Sequence, residues 1–97
     1  MDINKRIENI KLMEDNFDKA KNAVEKLTEA LENYLAVNDN IKALESYYTS
    51  PLWLSDYTDD ENGCFPEDLK RGVLSQDAIY NLLCDNGELL NKIKEIF

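Results

Sequence analysis

No glycine or proline occurs before Pro51, and throughout the first part of this chain the apolar side chains return with a helical period. Ile3, Ile10, Phe17, Val24 and Leu31 share one seam position of a heptad, and Met13, Ala20, Leu27 and Tyr34 share the other, where Arg6 is the exception. Ile7 and Leu35 widen the stripe. Asp15 with Lys19, and Glu8 with Lys11, place opposite charges one turn apart on the outer face. The pattern predicts one long amphipathic helix over about residues 3 to 36.

Such a helix spans roughly 50 Å at 1.5 Å per residue, whereas a compact chain of this size has a radius of gyration of only about 13 Å. The last helix, at roughly 20 residues, covers about 30 Å of it. Either the intervening helices cover the remaining seam or another subunit does, and the expectation favoured here is a self-associating form, a homo-oligomer.

After this helix, Asn38, Asp39 and Asn40 suit a turn or an N-cap, and a second helix over about 40 to 49 presents Ile41, Leu44 and Tyr48 on one face. Pro51 pushes its predecessor away from helical geometry, so Ser50 as N-cap and Pro51 as first residue predict a third helix over about 51 to 58. "DDENGC" reads as a loop, and "PEDLKR" as a short turn over 66 to 71 that Gly72 is suited to end. Ser75 then caps a final helix over about 75 to 95, with Leu74 and Ile79 spaced as a hydrophobic staple. Gly87 inside that helix suggests a bend. No segment alternates apolar and polar residues as a strand would. The expected fold is all-α: a single domain, residues 1 to 97, in which the long N-terminal helix packs against the C-terminal helix with two short helices and a capped turn between them, a small helical bundle.

Twenty acids against 11 bases leave a net charge of −9, which discourages binding to nucleic acid or anionic lipid, since both need a basic surface. No nucleic acid or membrane partner is expected. The acid is uneven, because Asp56, Asp59, Asp60, Glu61, Glu67 and Asp68 follow one another without a base. Cys64 and Cys84, with no histidine in the chain, make neither a disulfide framework nor a zinc set. The N-terminal stretch lacks the apolar core of a signal peptide, and no apolar run approaches a membrane span; a cytoplasmic location is expected.

Candidate sites are few. "TDDENG" resembles the start of a calcium loop, but with Gly63 in the glycine position, Thr58 stands where Asp belongs and Leu69 where a bidentate Glu belongs. A solvated acidic loop is the better reading, and no metal or cofactor is expected. There is no nucleophile elbow, no phosphate-cradling glycine loop and no ligand cluster for a transition metal, so no enzyme is expected. Of the rings Tyr47, Tyr48, Trp53 and Tyr57, Trp53 is assigned to the core and Tyr47 is left open between core and interface. Arg71 is expected to pair with nearby carboxylates and helix-end carbonyls rather than to form a basic patch with Lys70.

These residues also carry a resemblance. "YY" at 47 and 48, Trp53 with Asp56 and Tyr57, and "DLKRGVLSQDAIYNLL" from 68 to 83 resemble a family of small bacterial proteins, the domain of unknown function 4298. Gln76 is a departure from the acid that often follows the serine in that pattern. The resemblance implies a bacterial, cytoplasmic, helical protein and brings no activity and no functional residues.

The function these features support is a non-enzymatic module that binds a protein partner, with Tyr47, Trp53, Asp56, Tyr57, Asp59, Asp60, Glu61, Asp68 and Arg71 as its candidate surface. The alternative is a regulator that binds a small molecule or divalent metal through the acidic 56 to 68 segment. A weaker third reading is an acidic mimic of nucleic acid, which requires carboxylates spaced like phosphates along one face.

Overall fold

A computed structural model describes residues 2–97. It contains four α-helices and one 3-10 turn, and no strand among the described residues; the protein is all-α. Contact density divides the chain into two compact units, Met1–Val37 and Asn38–Phe97.

The first unit is a helix, α1, Ile3–Ala36. Asp2 stands just before it in extended geometry, and its carboxylate accepts the Asn4 amide at 3.2 Å, satisfying one of the orphan N–H groups that every helix start leaves. Lys19 and Asp15 pair at 3.0 Å on the outer face. The Thr28 hydroxyl donates to the Val24 carbonyl at 2.8 Å, the usual way a β-branched hydroxyl is accommodated in mid-helix. The stop is made without glycine: Val37 takes φ −105° and ψ 6°, and its amide donates to the Tyr34 carbonyl at 3.2 Å. Taken by itself, α1 buries none of its described residues, and Phe17 and Val24 on the seam are 61% and 64% exposed.

In the second unit, α2, Asn38–Tyr48, is followed by α3, Pro51–Glu61, the 3-10 turn Gly72–Leu74, and α4, Ala78–Ile96. Asn38, Asp39 and Asn40 form the first turn of α2 rather than a loop before it, which places the Asp39 carboxylate at the positive end of the helix dipole. Between α2 and α3, Ser50 holds the N-cap position with Pro51 behind it, but its hydroxyl donates back to the Tyr47 carbonyl at 2.6 Å instead of capping α3. It therefore closes the helix behind it.

α2 packs against α3 and α4, and the 3-10 turn packs against α3 and α4. Two hydrophobic side chains among the described residues are buried, Leu74 at 8% and Ile79 at 3% exposure. They are the staple pair, and between them the Ser75 hydroxyl accepts the Ala78 amide at 3.2 Å while donating to the Gly72 carbonyl at 2.9 Å. Against the expected start at Ser75, regular helix begins at Ala78 with Asp77 in the N-cap position; Ser75 ends the 3-10 turn and its hydroxyl meets the first helical amide from there.

Gly72 does not end a helix; it opens the 3-10 turn, because Arg71 and Gly72 carry carbonyls that the Leu74 and Ser75 amides take at 3.0 and 3.2 Å. Gly87 produces no break either, since α4 runs through it with ordinary negative φ. No helix among the described residues is long and apolar enough to cross a membrane.

Candidate functional site

The second unit gathers most of the chain's distinctive side chains around the start of α3 and the loop that follows it. Trp53 is the centre of this group. Its ring stacks on Tyr57, with centroids 5.2 Å apart and planes at 19°, and meets Tyr48 edge-on at 5.0 Å and 67°. Both arrangements suit the ring quadrupole. The indole N–H donates to the Val73 carbonyl at 2.8 Å, which fastens α3 to the 3-10 turn.

Tyr47 and Asp56 fasten α2 to α3. The Tyr47 hydroxyl donates to the Asp56 carboxylate at 2.6 Å in a half-buried position. Burial, then the bond to Asp56 and its negative charge, pushes the Tyr47 hydroxyl up to about 12. Tyr57 lies at the rim, where its hydroxyl accepts from the Gln76 amide at 2.9 Å. The hydrogen bond to Glu61 raises its pKa above the ordinary value, against an opposing effect of Gln76. Gln76, the departure from the family pattern, thus has a structural use: an acid there has no proton to donate to that oxygen.

The end of α3 is a Schellman motif. Gly63, at φ 74°, donates to the Asp60 carbonyl at 3.0 Å, and Cys64 donates to the Asp59 carbonyl at 3.0 Å. Arg71 closes the loop that this motif begins. Its guanidinium binds the Asp60 carboxylate and the Pro66 carbonyl, and its Nε donates to the Leu69 carbonyl at 3.3 Å. One cation holds the helix end, the turn at 66 to 69 and its own backbone in fixed relation.

The nine candidate residues thus separate into two groups. Tyr47, Trp53, Asp56, Tyr57, Asp60 and Arg71 are half-buried and bonded within the unit. Asp59, Glu61 and Asp68 are exposed, as is Glu67. Among the described residues, no group of three or more His, Cys, Asp or Glu side chains is placed to hold a metal ion. The acids follow one another in sequence, but three of them bond to different side chains: Asp56 to Tyr47, Asp60 to Arg71 and Glu61 to Tyr57. Cys64 and Cys84 are both exposed free thiols.

Lys70 takes a different direction from Arg71. It lines an open groove of about 420 Å³ with Leu44, Gly72, Val73, Ala78, Ile79 and Leu82. A second hollow of about 280 Å³, with Tyr47, Asp56, Phe65 and Leu69 in its wall, shares Lys70 and Val73 with the first. Val73, Leu82 and Leu69 are exposed on these walls. Sequence reasoning missed this groove, because its lining comes from α2, the 3-10 turn and α4 and no one segment displays it. The one local sign was the unassigned Val73 between Gly72 and the staple.

Residues 10–96 match the model of a family described as a domain of unknown function, DUF4298. The chain belongs to the DUF4298 family. The matched span holds every residue of the site just described, so the Trp53 cluster, the Arg71 clamp and the groove all lie inside the DUF4298 region. No curated protein and no solved structure matches this DUF4298 chain.

Proposed function

We propose that this protein is a non-enzymatic interaction module whose second unit receives a protein partner on the groove between α2, the 3-10 turn and α4. The groove itself carries the reading: it is open, its lining is mainly aliphatic, and one cation, Lys70, stands on its wall. Apolar side chains surrounded by charge are what a partner's side chains cover on binding. The exposed carboxylates of Asp59, Glu61, Glu67 and Asp68 give the same unit a negative charge that selects against acidic partners and speeds encounter with basic ones.

Within this reading Trp53, Tyr47 and Arg71 hold the groove's walls in place and do not themselves meet the partner. The test is affinity capture from cell extract with the wild-type chain, Val73→Glu, Leu82→Glu and the outer-face control Glu8→Gln. A partner bound by the wild type and Glu8→Gln, and lost by both groove variants, supports the assignment. A partner that the groove variants retain removes the groove from it.

A further inference from the structure

The seam of α1 carries a second pattern, in side-chain size. Phe17 and Ala20, one large and one small, flank the midpoint of the helix on alternate seam positions, with Met13 and Val24, then Ile10 and Leu27, outside them. We propose that α1 is a dimerisation element that pairs antiparallel with α1 of a second copy, about a two-fold axis passing between residues 18 and 19.

In that register each position of the first seam row faces a position of the second. Phe17 meets Ala20 of the second copy, Met13 meets Val24, Ile10 meets Leu27, and Arg6 meets Leu31. Large therefore faces small at the centre, as close packing requires. A parallel pair stacks Phe17 on Phe17 and Ala20 on Ala20, overfilling one layer and leaving the next empty, and it sets Arg6 against Arg6 inside the seam. The flanks agree. On one side Glu14 lies beside Lys21 of the second copy, and Lys21 beside its Glu14, while Asn9, Asn16, Ala23 and Ala30 on the other flank carry no charge.

Length selects a second α1 as the occupant. α1 has 34 residues, whereas α4, the longest helix of the other unit, has 19. Only another α1 offers a seam of equal length and heptad spacing. Eight facing seam residues, each removing on the order of 100 Å² from water, bury roughly 800 Å² per copy, the size of a standard stable interface. This proposal is independent of the groove on the second unit.

The test uses the full chain with the exposed Cys64 and Cys84 changed to serine. Sedimentation equilibrium is expected to give twice the 11.2 kDa chain mass in the micromolar range. Glu14→Lys and Lys21→Glu each weaken the dimer roughly tenfold, since each replaces two attractive contacts by two repulsive ones, and the double variant restores it. These positions flank the seam, so circular dichroism of each variant stays helical. Spin labels at Asp18→Cys lie within about 25 Å of each other in the dimer, and labels at Lys5→Cys about 40 Å apart, from the 27 residues of helix between their levels. A single-chain mass at every concentration, short distances at both labels, or a double variant as weak as the singles overturns the proposal.

Discussion

The bond from Tyr47 to Asp56 couples one proton to the stability of the second unit. The folded environment raises the Tyr47 pKa from 10.0 to about 12, so the fold binds this proton more tightly than the unfolded chain does. Its contribution is complete below pH 10 and is lost as pH rises through about 12. Urea midpoints measured at pH 9 and pH 11.5 are expected to fall for the wild type, and to fall less for Tyr47→Phe, which has no proton to lose there. Two glycines give opposite results in the same assay. A Cβ at Gly63 meets no atom within 4 Å, but its φ of 74° suits an L-residue poorly, so Gly63→Ala costs about 1 kcal/mol. Gly87 has equal space and ordinary helical geometry, so Gly87→Ala is expected to stabilise by about 1 kcal/mol.

At the scale of elements, local signals and long-range ones differ in how far the sequence exposes them. The helical period from Ile3 to Leu35 and the pair Leu74 and Ile79 around Ser75 are written in neighbouring residues; the structure has the long helix, both buried side chains and a Ser75 bond to the Ala78 amide, but the N-cap of α4 is Asp77. Gly72 misled because a glycine after "DLKR" satisfies a helix stop and a 3-10 start equally, and distant packing on α3 and α4 selects between them. The Schellman end at Gly63 is legible in principle from a helix followed by Asn-Gly, but the run of acids before it reads equally well as a solvated loop, and α3 continues through it to Glu61. Trp53 bonding to Val73, twenty residues away, leaves no trace in either segment alone. The staple itself gives the sharpest test of element packing. Ile79→Ala removes the most buried side chain and is expected to cost about 3 kcal/mol in chemical denaturation, and Ser75→Ala about 1 kcal/mol.

For the whole molecule, the division at Val37 makes a prediction about autonomy. Residues 38 to 97 hold both buried side chains, the Trp53 cluster and the Arg71 clamp, so this fragment is expected to fold without α1 and to melt within a few degrees of its transition in the full chain. A peptide of residues 2 to 37 has no tertiary contact of its own, and lone helices depend on packing for most of their stability. Its helicity is expected to rise with concentration as copies pair, which circular dichroism from micromolar to millimolar concentration measures. A helix content independent of concentration counts against pairing through α1.

Trp53 is the chain's single tryptophan, and it lies wholly within the second unit, stacked on one tyrosine and edge-on to another. The protein thus contains its own optical label. Excitation of the indole reports on α3 and its neighbours alone, with tyrosine-to-tryptophan energy transfer collapsing when the stack opens, whereas the far-ultraviolet signal sums all four helices, including the 34 residues of α1, which holds no tryptophan. In one melt, helix signal lost at a temperature where the indole signal is unchanged is assigned to α1, without attaching a dye.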